Sequence, residues 1–470
     1  GAVAGAGVGA AVFRGLSAIR PDRLARIDEP GILWSLFLST VLGAAAATAL
    51  FTLVPAVQRL QTAPIDALKS HGRAWMTRLQ RQAGRALVVT EIVLGFVLVT
   101  GTVLAARTLA GIERVRPGFE SREVLAFQLL GMRPDLLGDW ERRFASLPGV
   151  VDAGAISHLP FDTTLPNWYG GYRVEGMTPE EASIFTTDNR AVTLGYFKTM
   201  EIRLVEGRYF DERDRPGAPN AVIVDGVVAR HTWPGRSPVG RPIDAEHMTE
   251  QGLVLVPSVV VGVVEHVSNH SLTKEVRGQI YSPFVQNLRG GYPQTFVLRS
   301  TVAPLSLVPA IPRLLQENNP PLSMDKVRPM TEYLDREIAP AGFTAGLARI
   351  FGALALLLAG TGIYGVLDYQ VSRRMPEMGI RMALGAGPRD VLGLILRDGA
   401  WIAALGVTLG AGAAVLAARS LSALLYGVSA GDPTSYAPAL LLLPVAALIG
   451  CWRPAAPAAS ANPTEVIRCG

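Results

Sequence analysis

Long stretches of this chain carry no charge, among them Gly31 to Gln58, Ile350 to Leu367 and Tyr436 to Trp452. A helix rises about 1.5 Å per residue and the hydrocarbon core of a bilayer is about 30 Å thick, so such runs read as membrane spans rather than core helices. With two further apolar helical patterns, the reading is five complete spans at 31–57, 86–108, 346–369, 394–418 and 435–452. A sixth stretch, 1–14, reaches only about 20 Å as a helix and is a partial span.

Basic residues fix the orientation. Arg59, Lys69, Arg73, Arg78, Arg81 and Arg85 lie between the spans at 31–57 and 86–108, against Asp66 alone. Arg373, Arg374, Arg381 and Arg389 follow the span at 346–369, against Glu377 and Asp390. Lysine and arginine accumulate on the cytoplasmic side, so 58–85, 370–393 and the C-terminal tail are expected inside. Alternation then puts 109–345 outside. Glu91 is the one acid within the span at 86–108, a placement that costs about 2.5–3.5 kcal/mol at a bilayer centre. Its position about one and a half turns past Arg85 suggests that it reaches the interface.

The same charge distribution excludes other classes. A net charge of +5 and a pI near 9.3 do not signal nucleic-acid binding, because the bases gather beside the apolar runs. The four lysines, Lys69, Lys198, Lys274 and Lys326, never follow glycine, so no G-K-[ST] element cradles a nucleotide phosphate. Cys451 and Cys469 both lie near the C-terminal end, leaving the polar middle without disulfides or cysteine-based zinc sites. No signal-peptide pattern opens the chain, and its start at Gly1 suggests that it begins within a longer unit.

Residues 109–345 read as a folded α+β domain. Strands are expected at Val124–Leu130, Val151–Ser157, Ala221–Val224, Val259–Val264 and Thr295–Arg299, and helices at Asp135–Ser146, Val227–Thr232, Leu305–Gln316 and Thr331–Glu337. Pro-Gly and Gly-Gly pairs punctuate them, and two subdomains are a natural outcome. None of its polar clusters makes a convincing active site. Glu265, His266 and His270 have helical zinc spacing but follow a buried strand, which favours a solvated loop. Asp211 to Arg215 reads as a charged turn before Pro216, with calcium the remote alternative. Ser157, His158 and Asp162 supply triad residue types, but adjacency in sequence is not triad geometry. No catalytic residue, metal or cofactor is expected.

The two ends repeat each other. Gly9-Ala10-Ala11-Val12 matches Gly412-Ala413-Ala414-Val415, and Pro64-Ile65-Asp66-Ala67-Leu68-Lys69 matches Pro463-Thr464-Glu465-Val466-Ile467-Arg468. The chain thus reads as the end of one unit followed by an entire second unit. Several motifs in order then resemble the MacB/FtsX-type ABC transporter permeases, in particular the duplicated acidobacterial-type orphan permeases. The most specific is Glu377-Met378-Gly379-Ile380-Arg381-Met382-Ala383-Leu384-Gly385-Ala386. Others are Val115-Arg116-Pro117-Gly118-Phe119, Glu206-Gly207-Arg208-Tyr209-Phe210, Trp233-Pro234-Gly235 and Leu425-Tyr426-Gly427-Val428.

This resemblance implies an α-helical transmembrane bundle, five full spans plus one partial, with an inserted periplasmic α+β domain of MacB type. Its parts would be 1–69, the C-terminal end of a first FtsX-like unit; 70–85, a cytoplasmic basic linker; 86–108, the first span of the second unit; 109–345, the periplasmic core domain; and 346–470, an FtsX-like permease domain with three spans. It further implies a multi-pass bacterial inner-membrane protein, not itself an enzyme, that couples hydrolysis by a separate ABC ATPase to movement of the periplasmic domain, for export or mechanotransmission. Membrane lipid surrounds it, and a periplasmic adaptor or substrate and a homodimer are compatible partners; nucleic acid is not. The implied ATPase-coupling helix comprises Glu377, Met378, Gly379, Ile380, Arg381, Leu384 and Gly385, with Pro376 at its first position. Ile380 and Leu384 would share the docking face, and Glu377 and Arg381 would pair at i, i+4. The alternative is a non-transporting receptor or sensor whose periplasmic domain binds a ligand.

Overall fold

The run Val124–Leu130 illustrates how the outer domain is built. Leu125, Phe127 and Leu129 alternate along it, and a period of two places all three on one face of a strand. In the computed structural model this is strand β1. The structure describes residues 78–130, 132, 136–164, 168–177, 186–249, 252–273, 277–287, 294–316, 322–383, 388–422 and 425–460. The spans expected at 1–14 and 31–57 and the first half of the linker at 70–85 lie outside them.

Chain contacts define two units, Ile112–Ala339 and the helices from the remainder. In the first unit, strands β2 (Val150–Ile156), β3 (Tyr169–Gly170), β4 (Tyr172–Arg173), β5 (Thr187–Val192), β6 (Leu204–Gly207), β7 (Ala221–Asp225), β8 (Pro242–Thr249), β9 (Gly252–Val264), β10 (Gln279–Pro283), β11 (Gln294–Ser300) and β12 (Ser323–Pro329) join β1 in one sheet. Its order is β12-β1-β11-β2-β5-β10-β7-β9-β8-β4, with β3 on β5 and β6 on β9. The β5–β10 and β7–β9 pairs are parallel.

Two hydrophobic cores sit along this sheet. Helix α2 (Leu137–Ala145; α1 is Arg78–Glu113) drops Leu137, Trp140 and Phe144 onto β1 and β11. There Phe144 meets Phe127 edge-on at 5.3 Å and Phe296 at 5.0 Å, arrangements that suit the ring quadrupoles. Helix α3 (Tyr196–Thr199) follows β5. The second core gathers Val222 and Val224 of β7, Val260 and Val263 of β9, Ile243 and Ala245 of β8, and Val228 of α4 (Gly226–Thr232). Between the cores, β5 and β10 carry buried polar side chains instead: Asp188, Asn189, Arg190 and Gln279. The α+β expectation holds, and the anticipated division appears as two cores on one continuous sheet.

Differences from the sequence reading have local causes. The expected helix Leu305–Gln316 is a 3-10 turn at Pro304–Leu307 and then α5, Ile311–Gln316, because Pro309 and Pro312 limit a continuous helix. The expected short helix Thr331–Glu337 is the opening of α6, which runs unbroken from Met330 to Ala383.

The second unit is a helical bundle of α1, α6, α7 (Pro388–Ser420) and α8 (Pro433–Ser460). Among the described residues three helices are long and apolar enough to cross a membrane, Gly84–Glu113, Met330–Gly362 and Gly399–Ser420, and Pro433–Ala446 is a shorter apolar one. The expected spans at 86–108, 346–369 and 394–418 fall on the three, and that at 435–452 on the shorter, so the described residues do not establish a count of five. Small residues let the helices approach. Gly406 and Gly410 of α7 lie against Ile92 and Phe96 of α1, while Gly95 of α1 faces Ala355 and Ala359 of α6 and Leu443 of α8. Leu357, Leu358, Trp401, Leu416 and Leu441 point outward and are more than half exposed, as a lipid-facing surface requires.

Candidate functional site

The periplasmic sheet joins the membrane helices through two chain connections. One is the segment Arg114–Glu123 leading into β1; the other is the step from β12 into α6. β1 and β12 are antiparallel neighbours with Leu125 opposite Pro329. Both connections therefore leave the sheet side by side.

The entering segment is clamped by backbone as much as by side chains. The Pro117 carbonyl accepts the Ser268 amide at 2.8 Å, and the Glu120 amide donates to the Met200 carbonyl at 3.0 Å. Gly118 has φ +86° and lies so close to the His266 carbonyl that no Cβ fits. Phe119 is buried, with its ring 6.3 Å from Phe161. Arg299 on β11 is the centre of the clamp. Its Nε donates to the Thr199 carbonyl at 2.7 Å, and its terminal nitrogens donate to the carbonyls of Arg122 at 3.3 Å and Glu120 at 3.1 Å. A planar guanidinium can satisfy three carbonyls converging from different directions, which an ammonium on a flexible stem does less well.

The loop after β9 links this clamp to the polar seam. His266 meets Asp225 at 2.5 Å, and that buried carboxylate also caps α4 by accepting the amides of Val227 and Val228. His270 meets Asp188 of β5 at 2.7 Å, while the Asn269 carbonyl accepts the Phe161 amide. The two histidines thus serve separate aspartates on separate strands. Glu265 pairs with Arg203, and no group of three metal-ligating residues occurs among the described residues.

Other polar clusters are structural too. Arg208 grips Asp214 through two bonds of 2.6 and 2.8 Å, and Arg213 bonds Asp211, so both aspartates of the charged turn are occupied by arginines. Hydrogen bonds from Arg213 hold Asp211 below the usual carboxylate range. The Ser157 hydroxyl is fully buried, accepts the Ala191 amide at 3.1 Å and lies 3.2 Å from His158 Nδ1, while Asp162 accepts from Thr164. Tyr209, from the Glu206–Phe210 motif, donates its hydroxyl to the Ile202 carbonyl and accepts the Leu204 amide.

Glu377, Met378, Gly379, Ile380 and Arg381 lie in the last turns of α6. Pro376 sits inside that helix rather than at the start of a new one. Leu384 and Gly385 fall outside the described residues. At the bundle's other end, Arg107 of α1 bonds Asp432 at 2.5 Å and Ser435 at 2.9 Å, and the Tyr426 amide meets the Thr108 hydroxyl. The Leu425–Val428 motif thereby lies beside α1. Sequence reasoning missed Arg299, because one arginine ending an apolar strand looks solvent-facing; only the three carbonyls around it reveal its task.

Comparison with known proteins agrees with this architecture. Residues 36–306 match the MacB-like periplasmic core domain and residues 349–463 the FtsX-like permease C-terminal domain. The macrolide export ATP-binding/permease protein MacB of Agrobacterium fabrum is 22% identical over 83% of this chain, which covers 60% of that protein. The MacB of Bartonella quintana is 24% identical over 54% of this chain, covering 38% of that relative. The chain thus spans less than two thirds of the length of these relatives. The crystal structure of the periplasmic region of MacB from Actinobacillus actinomycetemcomitans superposes with a TM-score of 0.32 at 13% identity, covering 48% of this chain and 96% of that one.

Proposed function

This chain belongs to the MacB/FtsX-type permease family, a membrane protein with a periplasmic domain, and from that premise we propose that it is the permease subunit of an ABC-type transporter. A separate ATPase docks on the cytoplasmic segment Glu377–Gly385, and hydrolysis there moves the periplasmic sheet to export a substrate or transmit force. The chain is a multi-pass protein of the bacterial inner membrane and performs no chemistry of its own in this reading.

The observation that carries it is the order of the two family matches, periplasmic core and then permease domain. The clamp supports it physically. A segment held by Arg299, Met200 and Ser268 passes load into the sheet instead of fraying, since several buried hydrogen bonds must break together.

The test begins by isolating the cognate ATPase by pull-down and measuring hydrolysis with the permease in lipid. Ile380→Asp is expected to abolish stimulation while membrane insertion stays normal, because a buried unpaired charge at an interface costs several kcal/mol, about 100-fold or more in affinity. Undiminished stimulation by the variant would remove this helix from the coupling path. If no ATPase binds the protein, the receptor reading replaces the transporter one.

A further inference from the structure

Glu91 is the one charged residue between Arg85 and Arg107 of α1. In the structure its carboxyl packs against a neighbouring helix. Its Oε2 is buried and accepts no hydrogen bond, and its carboxyl rests against Gly362 of α6, where a Cβ would collide with it. Nearby hydroxyls are committed to their own helices: Thr361 to the carbonyls of Leu357 and Leu358, and Thr90 to that of Ala86. Val88 and Ile92 on α1 pack with Ile402 of α7. Among the described side chains, the charged or titratable groups nearest this level are Arg85 on α1, Tyr364 on α6 and Arg397 on α7, the last two exposed.

Both helices place the contact at one depth. Glu91 lies about 9 Å along the axis from Arg85, and Gly362 about 9 Å from Asp368, at the helical rise. An ionised carboxylate inside hydrocarbon without a partner is costly, whereas a neutral acid is tolerated. Gly362 provides room for the carboxyl.

We propose that Glu91 is a proton-binding site within the bundle. Its carboxyl carries a proton while α1 and α6 are packed at Gly362, and it releases that proton to water on the Arg85 side when the helices part. One proton taken up forms the acid, and one released restores the carboxylate. Separation of the two helices is then linked to one proton per chain.

Dicyclohexylcarbodiimide adds to protonated carboxyls in apolar surroundings, and mass spectrometry locates the adduct. With the full chain in lipid vesicles at neutral pH, labelling at Glu91 is expected, with loss in Glu91→Gln and a decrease in Gly362→Ala, whose added methyl displaces the carboxyl. Labelling should fall as pH rises. Absence of the adduct even at mildly acidic pH would overturn the proposal, as would protection by sodium ions at constant pH, which would make the site one for a metal cation. Thermal stability gives a second readout. Glu91→Gln mimics the neutral acid and should melt no lower than the parent; a lower melting temperature would mean that a paired charge had been lost. Neither readout requires an ATPase.

Discussion

Replacing Arg299 tests whether the chain's entrance to the periplasmic sheet is a fixed anchor. Arg299→Ala removes three hydrogen bonds from a charged donor and leaves the carbonyls of Thr199, Arg122 and Glu120 without that partner. Bonds to charged groups contribute roughly 1.5–3 kcal/mol each, but three sharing one guanidinium are not additive, so a loss of about 3–5 kcal/mol is expected. The accompanying contact to Glu201, 3.3 Å away and more than half exposed, adds little. For a unit of this size the loss corresponds to a fall in Tm of about 10 °C. Urea unfolding of Ile112–Ala339 measures the energy, and hydrogen exchange at the Glu120 amide, bonded to the Met200 carbonyl, reports the anchor. Arg299→Lys keeps the charge without the planar fork and is expected to recover only part of the stability. A loss below about 1 kcal/mol with unchanged protection at Glu120 would refute the clamp.

Two other predictions concern acid sensitivity and topology. His247 on β8 is buried, and desolvation lowers its pKa to about 4 from 6.5; the unfolded chain therefore binds the extra proton first, and stability falls as pH drops from 6.5 towards 4, by roughly 3 kcal/mol in total. His247→Leu should flatten that part of the pH–stability curve measured by urea unfolding, and an unaltered slope would count against it. For topology, single cysteines at Ser306 and Ser70 treated with an impermeant thiol reagent should be labelled from outside only at Ser306; labelling at both would contradict the charge-based orientation.

Much of this protein is legible in its sequence because its strongest signals are local. Uncharged runs define helices by length alone, and the alternation in Val124–Leu130 defines a strand without reference to partners. Even the tight turns at Gly118 and Gly207 announce themselves, since positive φ favours glycine. The family was legible too, as the matches to the periplasmic core and permease domains show. It was weaker where polar residues form strands. Thr187–Val192 and Gln279–Pro283 lack apolar alternation, yet both are buried as a parallel pair, with Asp188 pairing Arg190 of its own strand and His270 from the loop after β9. Proline misled in the other direction: Pro376 suggested a helix start, but it sits inside a helix extending from Met330 to Ala383. Tertiary structure alone decided which polar groups had tasks. His266 and His270 have the spacing of metal ligands, but separate buried aspartates draw them apart. Nor does spacing reveal that the carboxyl of Glu91 lies against Gly362, whose missing side chain leaves room for it. Sequence spacing fixes which residues share an element, whereas a partner supplied by a distant strand or helix depends on long-range packing that no local pattern encodes.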